Sequence, residues 1–271
     1  MKRVVCMLVC MLALMLVAGT VCFADTVDAA KKRGTLVCGV KDSTPPFGYV
    51  DEKSRQIVGY DVDFCAAIAK KLGVKLELKA VTSAARMPQL MEGNIDMIAA
   101  TMTKNAERAK QIDFSHSYFL TGQKFLVKKG TVKSLKDLDG KKIGTAKGST
   151  SEQNAKKALP SATILSFDDY PQAFLALQQG KVAAVTTDET ILAGMLAKAP
   201  NKAQFEIPDI QISDEPYGLG MRKGDKKFVD FVNATILEME KSGEAKNIYD
   251  KWFGPKSELP MPRTFKIVAD K

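Results

Sequence analysis

The chain has 271 residues, 45% of them hydrophobic and 26% charged, with 19 Gly and 11 Pro; this excludes disordered, collagen-like and low-complexity architectures. Its net charge of +9 comes from Lys and Arg scattered in pairs, without the interleaved aromatics of a nucleic-acid surface, so no nucleic-acid partner is expected. With a single histidine, His116, zinc sites of the Cys/His kind are excluded, and neither a metal nor a cofactor is expected.

In chain order, Lys2 and Arg3 precede an unbroken apolar run at 4–17, and Ala24 supplies a small residue of the kind signal peptidase reads. The run is shorter than the roughly 20 residues of a membrane-spanning helix. Val21 before Cys22 suits a lipoprotein signal poorly. Secretion with cleavage after Ala24 is therefore expected, and the protein is expected to be soluble and a monomer. Of the five cysteines only Cys38 and Cys65 would remain, too few for a disulfide framework; two buried thiols able to meet are expected, and their pairing stays open.

Residues 35–40 read as a strand, and 61–72 as a helix whose apolar face is Phe64, Cys65, Ile68, Ala69 and Leu72, stopped by Gly73. A strand at 74–78, a short helix at 88–92, a buried strand at 95–99 and a helix from Asn105 to Lys110 follow. The same grammar restarts with strands at 142–146, 163–166 and 182–185, and helices at 149–158, 171–179 and 188–199. Extended stretches at 118–128 and 215–221 link the two series, and helices at 226–241 and 244–252 end the chain. The fold class is α/β: two mostly parallel sheets joined by a two-strand hinge, with lobe 1 at 25–121 plus 216–271 and lobe 2 at 122–215.

In open α/β sheets ligands sit beyond the carboxyl ends of the strands, so the residues that follow each strand carry the function. Arg108, with Thr101 and Thr103 nearby, reads as a carboxylate clamp, because a cation in the first turn of a helix opposes the macrodipole and calls for an anion, or else as a surface residue paired with Glu107 or Asp113. Ser149 and Thr150 open a helix beside Gly148, an anion nest without the lysine of a phosphate-binding loop. Asp188, straight after a buried strand, can receive an ammonium group or cap the next helix. Phe47, after Pro45 and Pro46, reads as a rigid cover at the cleft mouth or as core. A clamp in one lobe and a carboxylate in the other suit the zwitterion of an α-amino acid.

The pattern GVKDSTPPF at 39–47, GYDVD at 59–63, NID at 94–96 running on to Thr103, Glu107 with Arg108, Phe114 with Ser115, GST at 148–150 and GEA at 243–245 before Trp252 and Phe253 resembles the periplasmic solute-binding proteins of polar amino acid ABC transporters, most closely the glutamate/aspartate-binding members. The resemblance implies the type II periplasmic binding protein fold, with Arg108, Thr101 and Thr103 on the α-carboxylate, Ser149 and Thr150 adding donors, and Asp188 on the α-ammonium. It also implies that Lys41 and Arg86, with Ser83 nearby, hold a side-chain carboxylate, and that Tyr170 stands where the acidic-ligand branch has His or Tyr. Ala100, where basic-ligand relatives carry Ser, argues against Lys or Arg as ligands. Three cations against one or two cleft anions suit a ligand of net charge −1.

The expected function is capture of glutamate or aspartate and its delivery to an ABC transporter permease, without catalysis. Two rivals share the scaffold: a secreted lyase or dehydratase, for which Glu189 or Asp42 would have to act as general acid, and a ligand-sensing protein serving a receptor.

Overall fold

The computed structural model describes residues 25–270; the signal-peptide reading of residues 1–24 lies outside them. The first described element is a helix absent from the sequence reading, α1 (Thr26–Arg33). Asp25 caps it by accepting from the Val27 amide at 2.8 Å, and Gly34 ends it with φ of 73°. Strand β1 (Thr35–Val40) follows, then a small antiparallel sheet also not foreseen, made of β2 (Ser43–Thr44), β3 (Gly48–Val50) and β4 (Ile57–Val58). Helix α2 (Tyr60–Leu72) buries the apolar stripe read from the sequence and stops at Gly73. Cys38 of β1 and Cys65 of α2 are both free thiols, fully buried and in contact.

Strand β5 (Lys75–Ala80) pairs in parallel with β1, which pairs in parallel with β6 (Met97–Ala99). Helix α3 (Arg86–Met91) begins two residues earlier than the sequence suggests, with Arg86 as its first residue. Pro88 is tolerated there because first-turn amides have no partner inside a helix anyway. The helix read from Asn105 to Lys110 shrinks to a single 3-10 turn at Arg108–Lys110, with Asn105 Oδ1 accepting from the Arg108 amide at 2.8 Å.

Strand β7 (Ile112–Lys128) is the longest strand among the described residues and runs antiparallel to β12 (Ser213–Arg222), which also pairs with β6. Further along, β7 pairs antiparallel with β10 (Ala184–Asp188), which continues in parallel to β8 (Lys142–Ala146) and β9 (Thr163–Phe167). The short β11 (Phe205–Glu206) pairs with the end of β7. The order is therefore β5-β1-β6-β12-β7-β10-β8-β9, so the two parallel trios share one hydrogen-bonded sheet through β12 and β7.

Helices α4 (Thr150–Ala158), α5 (Tyr170–Gln178) and α6 (Glu189–Lys198) flank the second trio. The last two, α7 (Lys226–Ser242) and α8 (Glu244–Phe253), pack on α1 and α2 of the first. Helix α7 buries Phe228, Val232, Ile236 and Met239, spaced as an amphipathic helix requires. Among the described residues no helix is long and apolar enough to cross a membrane. Phe47 is fully buried within an aromatic cluster, 4.9 Å from Phe119 and 5.4 Å from Tyr217 between ring centroids. It is core rather than a cover at a cleft mouth, because aromatic rings on every side leave it no open face.

Candidate functional site

The polar cluster lies where β6 and β10 end on either side of the paired strands. After β6 the backbone turns sharply at Thr101, whose φ of 48° is a left-handed conformation that a β-branched residue adopts only under constraint. The constraint is visible. Asp61, at the start of α2, accepts from the Thr101 amide at 2.9 Å through one oxygen and from the Tyr118 hydroxyl at 2.6 Å through the other. Arg86 donates to the carbonyls of Ala100 and Thr101, the latter at 3.1 Å. Thr101 turns its own hydroxyl onto the Ala100 carbonyl at 2.8 Å. Burial raises the Asp61 carboxyl to about 6.

The loop continues along β12, with the Lys104 amide donating to Pro216 and the Gly218 amide to Met102. Arg108 donates to the Thr103 carbonyl at 2.9 Å and reaches the Gly148 carbonyl of the second unit at 3.4 Å. Desolvation pushes its guanidinium down to about 9, with Arg86 adding to the shift. Contrary to the expectation, no helix dipole draws an anion to Arg108, since a three-residue turn has no macrodipole to speak of. The guanidinium is nonetheless almost wholly enclosed, and its two carbonyl contacts leave donors to spare.

In the second unit Ser149 caps α4, accepting from the Glu152 amide at 3.1 Å and donating to the Ala146 carbonyl at 2.6 Å. Glu152 in turn accepts from the Gly148 amide at 3.0 Å, so part of the expected anion nest is filled by the chain itself. Asp188 occupies the capping position of α6 without making a side-chain cap bond there. Instead one oxygen accepts from the Tyr217 hydroxyl, and the other is buried without a partner. Burial, reinforced by the negative charge of Glu215, raises its carboxyl to about 7. Tyr170, buried at the head of α5, lies within reach of the hydroxyls of Thr187, Ser151 and Ser149. Lys41 is buried and donates to Ser83 Oγ at 2.8 Å; burial, then the Arg86 charge, hold its ammonium well below the usual lysine range.

Sequence reasoning missed Asp61, Tyr118 and Tyr217 as members of the cluster, and with them Glu215, 1% exposed on β12. One of its oxygens accepts from Thr103 at 2.6 Å and Thr150 at 2.8 Å; the other accepts from Ser213 at 2.6 Å and Asn154 at 2.8 Å. Its two-residue spacing from Tyr217 puts both on one face of the strand, and that alternation was the available signal. With Asp61 and Asp188 it brings the buried carboxylates of the cluster to three, against Lys41, Arg86 and Arg108. By formal charge the cluster therefore lacks the positive excess expected from the sequence.

Comparison with known proteins accords with this arrangement. Residues 36–255 match the family model of bacterial extracellular solute-binding proteins, family 3. The chain belongs to that family. It is 41% identical over 233 residues to the ABC transporter glutamine-binding protein GlnH of Bacillus subtilis (strain 168), covering 84% of each chain. It is 35% identical over 242 residues to the glutamate/aspartate import solute-binding protein of Salmonella typhimurium (strain LT2), covering 84% of this chain and 80% of that one. Among solved structures, an ancestral arginine-binding protein bound to glutamine matches with a TM-score of 0.78 at 44% identity, covering 82% of this chain and 99% of that one. The fold is thus the type II periplasmic binding protein fold.

Proposed function

We propose that this solute-binding protein takes up a polar α-amino acid, glutamine in the first place, between its two α/β units and presents it to an ABC transporter permease. Lobe 1 comprises 25–121 plus 216–271 and lobe 2 comprises 122–215, with β7 and β12 as the hinge between them. The observation that carries the reading is the pairing of opposites across the cluster. Arg108, with unused donors, faces from one unit, and the unpartnered oxygen of Asp188 faces from the other. A zwitterion supplies what each lacks: a carboxylate for the guanidinium and an ammonium for the carboxylate.

Three cations against three carboxylates favour a ligand with an uncharged side chain, and the similarity to a glutamine-binding relative supports the same choice. The second reading is glutamate or aspartate, favoured by Lys41 and Arg86 within the cluster and by the glutamate/aspartate-binding relative. The catalytic rival loses the two general acids it relied on: Asp42 is exposed and Glu189 is paired with Lys124 at 3.0 Å. A signal cleaved after Ala24 and a periplasmic location complete the proposal.

Calorimetric titration of ligand-stripped protein with the twenty amino acids tests it, and glutamine is expected to bind most tightly. Arg108→Ala should weaken every amino acid ligand by about 2 to 5 kcal/mol, since all share the α-carboxylate. Absence of binding by any amino acid, or a variant that binds within a few-fold of the parent, would overturn the reading.

A further inference from the structure

We infer that Glu215 sets the charge class of ligand this site accepts. The inference rests on the amino-acid reading above and goes beyond it by naming the residue that decides between a neutral and an acidic side chain. Each Glu215 oxygen receives two hydrogen bonds, and all four donors are neutral groups: Thr103 and Thr150 on one oxygen, Ser213 and Asn154 on the other. These donors fill the lone pairs of both oxygens, and among the described residues no cation is bonded to the carboxylate.

Its charge is therefore felt by its neighbours. It acts on Arg108 and on Asp188, the two groups that face the ends of a zwitterion. In a buried site such a field is weakly screened. Counted by formal charge, with Asp188 ionised as an ammonium ligand requires, Glu215 turns a site holding Lys41, Arg86 and Arg108 against Asp61 and Asp188 from net positive to balanced. A neutral side chain leaves the balance intact, whereas a glutamate side chain adds one buried negative charge.

The same geometry makes Glu215 a positioning residue. By accepting from Thr103 beside the first trio and from Thr150 at the head of α4, it draws the two hydroxyls to 3.3 Å from each other and fixes where their hydrogens point. Loss of the side chain therefore lowers affinity for every ligand. The diagnostic quantity is the ratio of glutamate to glutamine affinity, which uniform loosening of the site leaves unchanged.

The experiment measures glutamate and glutamine dissociation constants by calorimetry for the parent, Glu215→Gln and Glu215→Asp, with circular dichroism melts to verify folding. Glu215→Gln removes the charge at nearly constant shape and should raise the glutamate-to-glutamine affinity ratio about tenfold or more. Glu215→Asp keeps the charge and should leave the ratio within about threefold of the parent, whatever its absolute affinities. An unchanged ratio in Glu215→Gln, or an equal shift in both variants, would overturn the inference. If Glu215→Gln does not fold, the parent still decides: it should prefer glutamine over glutamate and asparagine over aspartate, and the reverse order would overturn the role of Glu215. Failure of the parent to bind any amino acid would instead remove the proposed function itself.

Discussion

The unpartnered oxygen of Asp188 couples binding to pH. This carboxyl sits at about 7, raised first by burial. The sign follows from the raised value: the neutral acid is the form the fold favours, so its contribution to stability is complete below the ordinary carboxylate range and is lost as pH rises through 7. An ammonium group needs the ionised form, so protons and ligand compete for Asp188. Affinity should fall as pH drops from 8 to 5, by up to about tenfold per unit below 7, and binding near neutrality should release a proton. Calorimetry in two buffers of different ionisation enthalpy reads that proton directly. Asp188→Asn should flatten the profile, and a parent whose affinity is level from pH 8 to 5 would sink the assignment.

Arg86 leads to an expectation different from the one its sequence position invites. Read as a contact for a ligand's side-chain carboxylate, it should matter to acids and little to amides. The structure has it holding the Ala100 and Thr101 carbonyls at the left-handed turn. Arg86→Met should therefore weaken glutamine and glutamate alike, by about tenfold or more, because the turn that presents Thr101 and Thr103 loses its support. Selective loss of the acids would return Arg86 to the ligand.

At the scale of elements, the clearest lever is Gly194 inside α6. A Cβ there would lie 2.2 Å from the Pro45 carbonyl oxygen, so the second unit meets the first at this helix without room for a methyl group. Within a helix alone, Gly to Ala stabilises by up to about 1 kcal/mol. Gly194→Ala should thus push α6 away from the Pro45 segment: the helix gain offsets part of the cost in melting temperature, while ligand affinity falls about tenfold or more, because the two units can no longer meet at this contact. Calorimetry and thermal melts on one preparation separate the two effects; affinity within twofold of the parent would contradict the account.

The elements also show what a sequence reveals. Periodicity and glycine stops located α2, α7 and the strands β1, β8 and β9 to within a residue or two, because their patterns are long or sharply bounded. The two- and three-residue strands β2 to β4 were invisible, since pieces so short carry no period. Asn105 advertised a helix that the following Ile112 strand cut to one turn. In the site, the residues ending strands were legible by position, whereas Glu215 was not. An acid in the buried register of a strand reads as exposed until the donors around it are known, and three of the four come from two other segments of the chain, the loop of Thr103 and helix α4.

At the scale of the whole molecule, the strand order has a consequence for how the chain acquires its structure. Strands β8, β9 and β10 are consecutive in sequence and pair directly with one another or with the β7 strand just before them. The free side of β6 is closed only by β12, so Met97 waits for Met221 and Ile98 for Gly220. Helices α7 and α8, which cover α1 and α2, come later still. Contacts of short sequence separation form sooner than distant ones, so the later-synthesised unit should be the first to gain order on refolding. Until the C-terminal quarter joins it, the earlier unit carries a bare strand edge prone to pairing with other chains. Pulse-labelled hydrogen exchange during refolding should find the amides of β8 and β10 protected before those of β6; simultaneous protection would mean that the two units form as one cooperative body. A chain halted before β12 should aggregate through the edges of β6 and β7 that β12 would otherwise close.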